Sequence, residues 1–176
     1  MRAGQLVTLT GKIYTARDLA HKRVVDCGLD GLPEEFRGGA IYHCGPIIRK
    51  RGNTSQVIAA GPTTSNRMEE TLQRFLKTVR PSAIIGKGGL SGKAVSAMVG
   101  LGCPYLSMTG GTAALASSMV VSAKGPFWND LGSAEAVWEL DVERFGPLVV
   151  AIDSTGKNLH DEVVSRARRR ALGLFH

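Results

Sequence analysis

Short apolar runs alternate along this chain with longer stretches whose apolar positions recur at helical spacing, and glycine marks most of the changes. Gln5 to Thr10 reads as a strand. Thr15 stands where a cap would open a helix over Ala16 to Asp26, with Cys27-Gly28 at its end. Leu32 to Gly39 reads as a loop. Ala40 to Cys44 and Gln56 to Ala60 read as short strands, ended by Gly45-Pro46 and Gly61-Pro62. Met68, Leu72, Phe75, Leu76 and Val79 predict a helix capped by Thr64 or Ser65 and running to Val79. Ser82 to Ile85 is a buried strand by its apolar run, followed by a helix from Ser91 to Leu101. Tyr105 to Met108 and Met119 to Ala123 read as strands. Ala136 to Val142 alternates as a half-buried strand does, and Leu148 to Ile152 is apolar throughout. Asn158 opens a final helix to Leu172.

This order predicts an α/β fold. Some strands follow one another without an intervening helix, so the sheet should be mixed. At 176 residues, against roughly 150 for a typical domain, residues 1–176 read as a single domain. No apolar run approaches the roughly 18 residues of a membrane helix, and Met1-Arg2-Ala3-Gly4 lacks a signal-peptide core. Cys27, Cys44 and Cys103 are odd in number and widely spaced, which suits a reducing, cytoplasmic setting better than a disulfide framework.

Charge and glycine sharpen the picture. The formal net charge is +7, which fits nucleic acid, an acidic partner or an anionic substrate. Aromatics make up only 6% and do not interleave with the basic residues, against the habit of nucleic-acid binders. The basic run Arg166 to Arg170 reads as a solvated helix face, with a docking surface or an RNA contact as alternatives. Glycine counts 22, well above the usual 7% or so. Three glycine-marked turns follow strands: Gly61 to Arg67, Gly86-Lys87-Gly88-Gly89, and Thr109-Gly110-Gly111-Thr112. In open α/β sheets, ligands collect at such turns, where free backbone N–H groups favour anions. Each turn alone could simply lead into a helix. Together, with Thr63, Thr64, Arg67 and Lys87 in them, they have the composition of a carboxylate or phosphate pocket. Arg17, at a helix start where carboxylates fit better, calls for an anion or an acidic neighbour to face.

Other chemistries fit poorly. Gly92-Lys93 lacks the earlier glycine and the following hydroxyl of a phosphate-binding loop, and no Gly-x-Gly-x-x-Gly occurs. Ser91 misses the spacing of a nucleophile elbow. The cysteines form no Cys-x-x-Cys pair, and His21, His43, His160 and His176 are scattered, so no metal site of this chain alone is expected. His43-Cys44 could suggest a catalytic thiol, though a core cysteine is the simpler account.

Gly61-Pro62-Thr63-Thr64-Ser65-Asn66-Arg67-Met68 resembles a signature of the class I, iron–sulfur-dependent fumarase and tartrate dehydratase family. Further matches follow in family order: Gly11 to Asp18 with Ala20-His21, Gly45-Pro46, Gly86 to Gly89, Thr109 to Ala114, Trp128 through Gly132, Glu135-Ala136, and Ile152 to Gly156. The similarity covers nearly the whole chain. It is to the β subunit, equivalent to the C-terminal domain of single-chain members.

The resemblance implies a swivelling β/β/α three-layer domain with a mixed sheet. It implies reversible hydration of fumarate to L-malate, or the matching dehydration of L(+)-tartrate. The partner would be an α subunit, in an assembly of two α and two β subunits, with a C4 dicarboxylate as substrate and neither nucleic acid nor membrane. The implied 4Fe-4S cluster is held by cysteines of that α subunit, none of which has an equivalent here. By resemblance, Arg17, Arg67 and Lys87 correspond to substrate-carboxylate ligands, and Thr63 to the proposed base at C3. Thr64, Gly110 and Gly111 are further candidates for substrate contacts. A rival of another class is a non-catalytic anion- or RNA-binding module.

Overall fold

The computed structural model describes residues 1–52 and 54–173; His176 of the scattered histidine set lies outside the described residues. The chain opens with β1 (Leu6–Thr15), α1 (Asp18–Cys27), β2 (Ala40–Tyr42), β3 (Ile47–Arg51) and β4 (Thr54–Ala59). It continues through α2 (Glu69–Val79), β5 (Ala83–Gly86), α3 (Gly92–Leu101), β6 (Tyr105–Ser107) and α4 (Ala113–Ser118). It ends with β7 (Val120–Phe127), β8 (Val137–Ile152) and α5 (Leu159–Gly173).

The main sheet runs β1-β2-β5-β6-β8-β7, and β8 pairs with β1 as well, so five strands close into a ring. β1, β2, β5 and β6 are mutually parallel, whereas β8 is antiparallel to β1, β6 and β7. The sheet is therefore mixed, as expected. Side chains alternate across it. Tyr14, Ile41, Ile84 and Tyr105 pack with Val24 of α1, Leu72, Phe75 and Leu76 of α2, and Met98 of α3. Ile13, Tyr42, Ile85 and Leu106 pack on the other face with Leu140, Phe145, Leu148 and Val150, backed by Ile48 and Val57 of the β3–β4 hairpin. Cover on both faces explains why the parallel strands read as continuous apolar runs.

Several sequence expectations are corrected. β1 does not stop at Thr10; register shifts around Leu9 and Gly11 (φ 115°) carry it on to Thr15. Thr15 therefore caps no helix. Its hydroxyl accepts the Trp138 N–H at 2.9 Å, and α1 starts only at Asp18. Neither Thr64 nor Ser65 caps by its side chain; a 3-10 turn over Ser65–Met68 leads into α2 instead. The two strands expected over Ala136 to Val142 and Leu148 to Ile152 are one, because buried Phe145 opposite Leu9 keeps the intervening stretch paired. Val137, Trp138, Glu139 and Leu140 are all buried rather than alternating, since β1 and β7 flank this stretch on either side. The Leu32 to Gly39 loop contains a 3-10 turn that buries Phe36.

The last helix matches its prediction: the Asn158 side-chain oxygen accepts the His160 N–H at 3.0 Å, and Arg166 to Arg170 are exposed. Among the described residues, no helix is long and apolar enough to cross a membrane.

Candidate active site

Because β1, β2, β5 and β6 are parallel, they leave the sheet at one edge and their following turns crowd together. The Ala16 N–H donates to the Tyr42 carbonyl oxygen at 3.0 Å, tying the first turn to the second. Gly61 to Ser65 is threaded between the ends of β2 and β5. The Thr63 N–H donates to the His43 carbonyl oxygen at 2.7 Å, and the Lys87 N–H donates to the Thr63 carbonyl oxygen at 3.2 Å. The Ser65 N–H then donates to the Lys87 carbonyl oxygen at 3.0 Å. Cys44 bridges Pro62, and Thr64 bridges Lys87.

These bonds bring Thr63, Thr64 and Lys87 together. Gly110 joins them: a Cβ built on it would lie 3.7 Å from Lys87 Cδ and 3.9 Å from its Nζ. A methyl there would stand in van der Waals contact with the Lys87 side chain. Gly111 follows in the same turn, exposed and at φ 81°.

The two arginines meet through a carboxylate. Asp18 Oδ2 lies 3.2 Å from an Arg67 terminal nitrogen and 3.8 Å from one of Arg17. Glu135 Oε1 lies 3.3 Å from Arg17, while its Oε2 accepts the Leu19 N–H at 3.0 Å, at the start of α1. The acidic neighbours that Arg17 called for are thus Asp18 and Glu135. Gly45 gives Arg17 its passage: a Cβ there would sit 2.7 Å from Arg17 Nη1 and 2.5 Å from the Ala134 carbonyl oxygen. The Arg17 side chain is mostly buried, at 21% exposure, whereas that of Arg67 is 55% exposed. Arg67, in the 3-10 turn after Thr64, has Asp18 as its ion-pair partner among the described residues.

Sequence reasoning singled out all three cations but missed the roles of Asp18 and Glu135. Asp18 stood beside Arg17 in the motif, and Glu135 stood among the family matches; their spatial meeting was not legible.

Below the turns lies a buried polar cluster. His43 Nδ1 lies 2.8 Å from Ser65 Oγ, which accepts the Tyr105 hydroxyl at 2.9 Å. His21 stacks on Phe75 at 3.7 Å and meets His43 edge-on at 5.0 Å. Burial lowers the pKa of His43 to about 3, and that of His21 well below the ordinary value, with His43 adding to the latter. The His43-Cys44 thiol suggestion fails. His43 turns to Ser65, and burial pushes the Cys44 thiol up to about 12, so the thiolate is not available near neutral pH. Cys103 is buried in the core cluster of α1 to α3, Cys44 in the opposite one, and Cys27 is exposed at the end of α1. Among the described residues, no three His, Cys, Asp or Glu side chains gather to hold a metal ion. The three thiols do not fit an iron–sulfur cluster of this chain's own.

The arrangement is a patch of three cations and two threonine hydroxyls, braced by two carboxylates and seated on a glycine-lined edge. Such a patch suits a small multivalent anion.

Comparison with known proteins agrees with this chemistry. A model of the fumarase C-terminus family matches residues 1–163. A Methanocaldococcus jannaschii protein provisionally named L(+)-tartrate dehydratase subunit beta is 41% identical, over 93% of this chain and 85% of its own length. The L(+)-tartrate dehydratase subunit beta of Escherichia coli K12 is 35% identical, over 90% of this chain and 79% of its own length. A Geobacillus stearothermophilus protein provisionally named class I fumarate hydratase is 37% identical over 93% of this chain, which matches 31% of that longer protein.

Proposed function

This chain belongs to the fumarase C-terminus family, and we propose that it is the β subunit of a hydro-lyase acting on C4 dicarboxylates. Two reactions fit: hydration of fumarate to L-malate, and dehydration of L(+)-tartrate. The tartrate reading draws on β subunits matched along most of their length, the fumarate reading on part of a longer protein. The observation that carries the proposal is the joining of Thr63 to Lys87 beside an Arg17–Asp18–Arg67 bracket, at one edge of the sheet.

In this reading Arg67 grips one substrate carboxylate with its planar fork, and Arg17 supports the grip. Lys87 adds a point charge near the second carboxylate, where negative charge develops when C3 loses its proton. Thr63 Oγ1 takes that proton in dehydration and returns it in hydration. A threonine hydroxyl is a weak base, so it depends on the Lys87 ammonium to stabilise its ionised form. Thr64, Gly110 and Gly111 contribute hydroxyl and backbone contacts.

The rest of the assembly is proposed on the same footing. The 4Fe-4S cluster sits on the partner α subunit, where it would serve as Lewis acid for the C2 hydroxyl. The complex holds two α and two β subunits and works in the cytoplasm. The chain forms one swivelling β/β/α domain of three layers.

The test is co-expression with the α subunit and an anaerobic assay on fumarate, L-malate and both tartrates. Turnover of one of these, lost in Lys87→Met without loss of assembly, supports the proposal. A well-assembled complex inactive on all four substrates contradicts it. Salt-sensitive RNA binding by the isolated chain would favour the rival module.

A further inference from the structure

We propose that Tyr105, Ser65 and His43 form a buried positioning relay that fixes the Thr63 and Lys87 turns, with His43 held as its Nε2–H tautomer. The catalytic consequence rests on the hydro-lyase reading above; the tautomer does not.

The three side chains are fully buried and touch no solvent. The Tyr105 hydroxyl donates to Ser65 Oγ at 2.9 Å, and Ser65 Oγ lies 2.8 Å from His43 Nδ1. A serine hydroxyl carries one proton. Tyr105 fills one of its two lone pairs, and among the described residues His43 Nδ1 is the acceptor within reach of the Ser65 proton, so that proton goes to a bare Nδ1; an Nδ1–H donating to the second lone pair would leave the serine proton and His43 Nε2 both unpaired. The reverse polarity, Nδ1–H to Ser65 to Tyr105, would bury the tyrosine proton without an acceptor and also leave Nε2 unpaired. The first arrangement leaves only the Nε2–H without a hydrogen-bond partner, beside the edge-on His21 ring. Unpaired buried donors are costly, so the first arrangement wins.

The relay is wired to the turns by its own backbone. The His43 carbonyl oxygen accepts the Thr63 N–H at 2.7 Å, and the His43 N–H donates to the Ile85 carbonyl oxygen at 2.8 Å. The Ser65 N–H donates to the Lys87 carbonyl oxygen at 3.0 Å. The side-chain bond between His43 and Ser65 therefore cross-links the residue that holds Thr63 to the residue that holds Lys87. Gly86 leaves room for it: a Cβ there would lie 2.0 Å from Ser65 Oγ and 3.3 Å from His43 Nδ1. The two side-chain bonds offset much of the cost of burying these three polar groups, with His43 Nε2 the one atom of the relay left unpaired. None of them reaches substrate, so all three are positioning residues.

The experiment has two arms. In the first, nitrogen-15 NMR of the full chain near pH 7 reads the His43 ring. Expected is a bare Nδ1 and a protonated Nε2; a protonated Nδ1 overturns the relay polarity even if the chain proves not to be a hydro-lyase. In the second, Ser65→Ala, His43→Gln and His43→Asn are assayed in the two-subunit enzyme. The Asn oxygen falls near the Nδ1 position, while Gln reaches towards Nε2. Ser65→Ala and His43→Gln should lower kcat by about tenfold or more with KM within about threefold, and His43→Asn should restore most of kcat. Equal losses in Asn and Gln variants, or an unchanged kcat in Ser65→Ala, overturn the positioning role. A wild-type complex with no activity on any C4 substrate sinks the hydro-lyase reading, and the first arm still decides the tautomer.

Discussion

Thr63 and Lys87 are joined main chain to main chain, the Lys87 N–H donating to the Thr63 carbonyl oxygen at 3.2 Å. Neither side chain is needed for that bond. Substitutions at Thr63 or Lys87 therefore test the side-chain chemistry while leaving the pairing that presents it. The arginines differ in this respect, since Arg17 and Arg67 owe their placement to carboxylates.

Arg67→Lys keeps the charge and removes the fork. Expected is a loss of about 1–3 kcal/mol in substrate binding, a KM rise on the order of tenfold to a hundredfold, with kcat less affected. Steady-state kinetics on the two-subunit enzyme check it. Because the Arg67–Asp18 pair is half-exposed, chain stability should change by less than about 1 kcal/mol. A KM equal to wild type would remove Arg67 from the carboxylate grip.

Gly45→Ala and Gly86→Ala should both destabilise the chain, for different reasons. At Gly45 the new methyl meets Arg17 and a backbone oxygen at 2.5 Å; at Gly86 it meets Ser65 Oγ at 2.0 Å. Each overpacked site should cost roughly 1–3 kcal/mol in denaturant unfolding. Gly92→Ala, where a Cβ meets nothing within 4 Å, is the control and should be neutral or mildly stabilising.

Much of this site was legible because its parts are local. The Gly61 to Met68 run, Lys87 between glycines, and the helical spacing of Leu72, Phe75, Leu76 and Val79 each declare themselves within one turn or helix. Three things were not. The β3 strand hides in the charged run Ile47–Arg51, so the strand read over Gln56 to Ala60 shows no hairpin partner in the sequence, although Ile48 packs inward. β8 reads as two strands because only its pairing with β1 carries it through Arg144 and Pro147. Glu135 reaches α1 across a sequence separation of 116 residues, a contact set by the ring closure of the sheet and not by spacing. Thr15 shows the reverse error: a good capping residue was claimed by a tertiary bond to Trp138.

The buried histidines give the fold a predictable acid weakness. His43 falls to about 3 and His21 well below its ordinary 6.5, so the unfolded chain binds protons that the folded one refuses. Their contribution is fully present above about pH 6.5 and is lost as pH falls towards the folded values, at up to about 1.4 kcal/mol per pH unit for each histidine. Thermal melting should therefore hold steady near pH 7–8 and fall steeply between about pH 6 and 4. His21→Leu, which keeps the contact with Phe75 apolar, should make that fall shallower. Parallel curves for the two proteins would contradict the assignment.

The central claim is that this chain moves the substrate's C3 proton through Thr63, and one measurement addresses it directly: solvent deuterium exchange at C3 of the bound substrate by the reconstituted complex. Thr63→Val keeps the shape of the side chain and removes only the hydroxyl. The account predicts that exchange and kcat fall together by a factor on the order of 10² to 10⁴ while KM changes little. A Thr63→Val enzyme that exchanges the C3 hydrogen at a near-normal rate would contradict it and hand the proton to a group outside this turn.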